Sequence, residues 1–274
     1  MVVKLRCEIN ISRIHRITTT DRIGEKGIML KKSLMLMLGA LLLVGCGRKS
    51  YTELITAGDE FMNNNDTRQA LEAYREALSA ADQPDQKIEV ATKLGDIFTQ
   101  QLPNQDSAGV YYAVVLDYPD ELNSESLRNF TKKIYEAGNY GAAVRGYSLW
   151  LERYSEDPLA PSMTYDLAEL YHKHIRDLIR AVELYDTVAK KYGTSSFAPK
   201  ALFSEGYVYA NELKNFDKAR SIYQTFLTAY PEHEMVPSVE FELKYLGKTI
   251  EEIPELKHLM SGKTAETQVA GTGK

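Results

Sequence analysis

From Tyr51 onward the apolar positions fall into a helical rhythm that returns at a nearly fixed interval. The pattern Ala-x-x-x-Tyr occurs five times, at Ala70/Tyr74, Ala108/Tyr112, Ala143/Tyr147, Ala181/Tyr185 and Ala219/Tyr223, with successive alanines 38, 35, 38 and 38 residues apart. Three residues after each Tyr comes another apolar or small residue, Ala77, Val115, Trp150, Val188 and Phe226. Each copy thus shows the i, i+4, i+7 face of an amphipathic helix. Four copies end at Tyr118-Pro119, Tyr154 with Pro158, Tyr192-Gly193 and Tyr230-Pro231, where proline and glycine stop the helix. A second small residue lies 12 or 13 positions upstream of the Ala and is followed three later by a ring, as in Gly58/Phe61, Gly95/Phe98, Ala168/Tyr171 and Gly206/Tyr209. The third copy departs from this, with Thr131 and Ile134. Each unit reads as two antiparallel helices, whose small residues permit close approach while rings fill the space beside the crossing. Asn63-Asn64-Asn65-Asp66, Leu102-Pro103-Asn104, Gly138-Asn139 and Lys214-Asn215 supply turns between them.

Small residue and ring, then Ala-x-x-x-Tyr, then a closing proline resembles the tetratricopeptide repeat over residues 51 to about 231. Three of the five units carry one residue more than the usual repeat between the small position and the Ala. The resemblance implies an all-α fold, a right-handed α-solenoid of five helix pairs that buries its core by stacking neighbours. Val236 to Lys248, with Val239, Leu243 and Leu246 on one side, predicts a capping helix. The repeat domain is therefore expected over 51–248, followed by a tail at 249–274 that is largely disordered after about 260. The resemblance also implies that the first helix of each pair lines a groove. Counting from the small residue gives Arg128, Lys132 and Tyr135 in the third unit, Tyr165, Glu169 and His172 in the fourth, and Phe203, Tyr207 and Asn211 in the fifth. Rings set among charges suit capture of a protein or peptide partner.

Upstream, Lys31-Lys32 precede an apolar run of 11 residues, Leu34 to Val44, short of the ~18 to 20 that span a bilayer. This is the layout of a secretory signal peptide over 29–45. Leu43-Val44-Gly45-Cys46 resembles the bacterial lipobox, which implies cleavage before Cys46, acylation there with palmitate-type chains, and a short tether at 46–50. At about 0.8 kcal/mol per buried methylene, two or three chains hold a protein firmly on a membrane. Residues 1–28 read as a misassigned start or short extension, because Met29-Leu30-Lys31-Lys32 is the more usual beginning. A lipid-anchored array of five such repeats is similar to the BamD family of outer-membrane assembly lipoproteins. That likeness implies a scaffold at the periplasmic face of the outer membrane, serving β-barrel assembly. The fifth unit is equally similar to the C-terminal repeats of the Tol-Pal-associated cell-division coordinator, and a solute- or glycan-binding lipoprotein is a further alternative.

Charge narrows the partners. The chain has 33 Lys and Arg against 38 Asp and Glu; removing residues 1–45 takes away 8 basic and 3 acidic residues and leaves 25 against 35. So acidic a chain argues against nucleic-acid binding. No catalytic constellation emerges. His172 and His174 on an α-helix would point about 200° apart and could not share a metal, and Gly271-Thr272-Gly273-Lys274 lacks the first glycine and following helix of a phosphate loop. The sequence predicts a non-enzyme that needs no metal or cofactor.

Overall fold

The computed structural model describes residues 49–254. Cys46, the signal segment and the tail from residue 255 lie outside the described residues. Within them the chain is an α-solenoid of eleven helices with no strand. The five pairs are α1 Tyr51–Asn63 with α2 Thr67–Ala80, α3 Pro84–Gln100 with α4 Gln105–Val114, α5 Ser124–Glu136 with α6 Tyr140–Arg153, α7 Ala160–Leu170 with α8 Leu178–Lys191, and α9 Phe197–Tyr207 with α10 Phe216–Ala229. A terminal helix, α11 Val236–Lys244, packs on α10, and each helix packs on the next along the chain. Packing continues past the expected boundary at 248, through a 3-10 turn at Ile250–Glu252 to the buried Ile253. No helix of the described residues is long and apolar enough to cross a membrane.

The turns explain where the second helices start. In four pairs the residue before the helix cap is left-handed: Asn65, Gly138, Arg176 and Lys214, at φ 58°, 76°, 66° and 54°. The second pair instead has the Leu102-Pro103 turn. In all five the next residue is an N-cap, Asp66, Asn104, Asn139, Asp177 or Asn215. Its side-chain oxygen accepts from the backbone N–H three residues on. That bond satisfies an otherwise orphaned donor and fixes the register of the helix.

The repeating Ala and Tyr form the inner face. All five alanines are buried, and the rings of Tyr74, Tyr112 and Tyr223 press so closely on Gly58, Gly95 and Gly206 that a β-carbon there would meet them. The third pair solves the same problem in reverse. Thr131 occupies the glycine position, and the small residue moves to the partner helix: a β-carbon on Gly146 would lie 2.5 Å from Thr131 Oγ1. The extra residue of three units also finds its place. In the fourth and fifth pairs the first helix ends in a π turn, Tyr171–Ile175 and Val208–Glu212, the one-residue insertion characteristic of such turns. In the second pair the longer turn at 101–104 absorbs it. The tyrosines that end the second helices do more than stop them. Tyr192 donates to the carbonyl of Ser155 at 3.2 Å and Tyr230 to that of Gly193 at 2.8 Å, tying each pair to the one before.

Candidate functional site

Two clefts open between successive first helices in the C-terminal half. The first, about 400 Å³, lies between α5 and α7, with Arg128, Lys132 and Tyr135 on one wall, Tyr165, Asp166 and Glu169 on the other, and Tyr147 of α6 behind. The second, about 460 Å³, lies between α7 and α9, with Tyr165, Glu169, His172 and Lys173 facing Lys200, Phe203 and Tyr207, and Met235 closing one end. Tyr165 and Glu169 line both. Of the nine residues expected in the groove, eight line one or both clefts. Asn211 lines neither; it is exposed and interacts with Glu242 of α11.

The walls are held in place by a polar network that repeats with the fold. The residue after the small position is acidic in three pairs, and it accepts from the Tyr hydroxyl of its own pair: Tyr74 to Asp59 at 2.5 Å, Tyr112 to Asp96 at 2.6 Å, and Tyr185 to Glu169. A lysine of the next pair then joins the first two acids, Lys93 on Asp59 at 2.8 Å and Lys133 on Asp96 at 2.9 Å. Burial alone would raise the Asp59 carboxyl, but the bonds from Lys93 and Tyr74 hold it below its ordinary value. Burial, then the Asp96 bond, pushes the Tyr112 hydroxyl up to about 12. Asp59 and Asp96 are thus engaged in linking helices. Glu169 carries both the Tyr185 bond and an ion pair with Lys173, so it fixes the wall between the two clefts. In the fifth pair Tyr207 stands where the acid would be, and the buried Tyr223 hydroxyl has no hydrogen-bond partner among the described residues.

His172 is more a strut than a contact. It is buried, its Nδ1 lies 3.3 Å from the Tyr185 hydroxyl, and its Nε2 meets Glu212, which also pairs with Arg176. These contacts join the π turns of the fourth and fifth pairs. His174 points elsewhere, stacking on Tyr140 at 4.0 Å between centroids and meeting the Tyr135 hydroxyl at 3.1 Å. The α-helical geometry assumed for this His-x-His does not hold within a π turn, but the two rings still diverge. Among the described residues no group of three or more metal-binding side chains comes together.

The side chains left available are distinctive. Arg128 makes no hydrogen bond or ion pair among the described residues, and its buried Nε has no partner. Tyr207 is exposed, and the Tyr165 hydroxyl is 3.2 Å from Ser204 Oγ across the second cleft. Aromatic faces, one guanidinium and ordered carboxylates are what an extended polar-apolar chain could meet.

Comparison with known proteins identifies one of these repeats. Residues 200–233, from within α9 to just past α10, match the tetratricopeptide repeat family. No curated protein matches the chain in sequence. Among solved structures, a tetratricopeptide repeat protein from Parabacteroides merdae is 20% identical over 72% of this chain and 73% of its own, with a TM-score of 0.39. MamA is 18% identical over 70% and 96%, TM-score 0.38. PilF of Pseudomonas aeruginosa is 16% identical over 77% and 97%, TM-score 0.36. Likenesses this loose transfer no activity.

Proposed function

We propose that this protein is a non-catalytic scaffold that captures a protein partner along the first-helix side of its last three pairs. The observation that carries the reading is the pair of adjoining clefts, with Tyr135, Tyr165, Phe203 and Tyr207 as anchors and the unpaired Arg128 as a charged contact. Rigid rings supply contact area at small entropic cost, and a guanidinium recognises carboxylates or carbonyls bidentately. Within this proposal the scaffold is anchored to a bacterial membrane through acylated Cys46, faces the periplasm from the outer membrane, and serves assembly of β-barrel proteins. The acidic balance of residues 46–274 and the signal and lipobox pattern support that placement.

The test is crosslinking of the lipidated protein in its native cells, followed by affinity purification and mass spectrometry. Recovery of the barrel insertase with the wild type, and its loss when Arg128, Tyr165 and Tyr207 are together replaced by Ala in a chain that melts as the wild type does, is the expected result. Recovery of cell-wall enzymes, or of the protein alone, moves it to the coordinator class. Full retention by the triple variant refutes the cleft as the capture surface.

A further inference from the structure

Superposing the five pairs on the small residue of the first helix leaves one position out of place. The residue before it is Ala57, Leu94, Phe130 and Leu167 in the first four pairs, and Glu205 in the fifth. Leu94 and Leu167 belong to the apolar core. Glu205 is buried much as they are, with 7% of its surface exposed, and no hydrogen bond or ion pair reaches it from any described residue. A carboxylate largely withdrawn from water and bonded to no side chain opposes folding, and its presence at an apolar position calls for a compensating role.

Its side chain borders a cleft of about 330 Å³ between the second helices α8 and α10, which shares no lining residue with the two clefts between first helices. Val182 and Ile222 give the cleft aliphatic walls, Tyr209 gives a ring, and Asp186 and Glu183 stand near Glu205, Glu183 being paired with Arg180 at 3.1 Å. Two lysines are present, and both are engaged elsewhere. Lys190 pairs with Asp186 at 2.8 Å, and Lys218 sits 3.3 Å from the Tyr209 hydroxyl and 4.9 Å from the centre of its ring.

We infer that this cleft is a second docking site, which takes a cationic side chain, arginine or lysine, of a partner protein onto the Glu205 carboxylate. The stem of such a side chain packs on Val182 and Ile222, and its head reaches a buried acid that no described side chain bonds directly. A buried pair of this kind contributes more to selectivity than a rim charge, because rejecting the cation leaves the acid unpaired. Burial first and then Asp186, opposed by Lys190 and Lys218, push the Glu205 carboxyl up to about 7. Docking a cation therefore completes its ionisation near neutral pH. The site is independent of the first-helix clefts, and its failure would leave the scaffold reading untouched.

The test uses the full chain with labelled Ile and Val methyls, titrated at pH 7.5 with the peptide acetyl-Leu-Arg-Leu-amide and with its citrulline counterpart, which keeps the shape and loses the charge. The expected result is saturable shifts at Ile222 and Val182 with the arginine peptide, at least tenfold weaker binding of the citrulline peptide, and loss of both in Glu205→Gln. Glu205→Leu supplies a second variant. It restores the residue type of the second and fourth pairs, should melt higher than the wild type, and should not bind. Equal binding of the two peptides, no shift with either, binding retained in Glu205→Gln, or a lower melting temperature for Glu205→Leu would each overturn the assignment.

Discussion

The reversed packing of the third pair gives a stability prediction with an internal control. Replacing Gly146 with Ala places a β-carbon 2.5 Å from Thr131 Oγ1, 3.0 Å from its Cγ2 and 3.1 Å from its Cβ. Thr131 cannot swing aside, because it is fully buried and its hydroxyl donates to the Leu127 carbonyl at 2.8 Å. Overpacking of this kind costs about 1–3 kcal/mol, against a gain of up to ~1 kcal/mol from the better helix propensity of Ala. With a contact of 2.5 Å on a fixed neighbour the cost lies at the upper end, so Gly146→Ala alone should lower stability by about 2 kcal/mol. Thr131→Gly alone also destabilises, by about 2 kcal/mol, through lost burial and a glycine within a helix. The double variant removes the clash and recreates the arrangement of the first, second and fifth pairs, so it should be no less stable than Thr131→Gly alone. The coupling energy is then about 1–3 kcal/mol in favour of the double variant. Urea denaturation followed by fluorescence reads this well, since Trp150 is the single tryptophan, lies on α6 beside the site and is fully buried. An additive cycle, or a Gly146→Ala variant as stable as the wild type, would refute the packing argument.

Further outcomes follow from the same structure. Asn215→Ala removes the oxygen that accepts from Lys218 N–H at 3.2 Å and should cost about 1 kcal/mol in the same assay; a neutral change would mean the cap is dispensable. Ala219→Leu forces a larger side chain into a fully buried crossing and should cost about 1–3 kcal/mol, visible as a lower melting temperature. The Glu205 carboxyl titrates near 7 in the folded chain and near 4.5 when exposed. Over that interval the folded state keeps a proton the unfolded state has released, so stability falls as pH rises from about 4.5 to about 7, by about 3 kcal/mol at ~1.36 kcal/mol per pH unit. Melting curves of Glu205→Gln should lack that contribution, and an unchanged pH slope would contradict the assignment. Cys46→Ala should release the protein from the membrane fraction of its native cells, and retention there would count against lipid anchoring.

Much of the fold was legible because apolar period and small residues report helix pairing directly. Gly58, Gly95 and Gly206 meet their tyrosines as the spacing implied, and the extra residue of three units was visible as a count. What that residue becomes was not legible, since a π turn and a longer loop absorb it equally well. Nor could spacing reveal that Thr131 relies on Gly146, a contact between two helices whose register depends on the turn at Gly138-Asn139. The left-handed Arg176 escaped notice because its side chain carries no glycine-like signal. Likewise, the tyrosines beside the stopping proline or glycine carried no signal of their own, whereas Tyr192 and Tyr230 tie successive pairs together. At the site, first-helix positions were countable, but the engagement of His172 with Glu212 forty residues away was not. Glu205 could have been found by aligning the five copies, where it is the single acid among apolar residues.

The central claim is that a protein partner is held along the first helices of the last three pairs. It is tested most directly by placing a photo-crosslinking phenylalanine at Tyr165, at Phe203 and, as a control on a second helix, at the 59% exposed Val110. Irradiation in native cells should give adducts to one and the same partner from positions 165 and 203 and none from 110. Adducts from 110 alone, or equally from all three positions, would contradict the account.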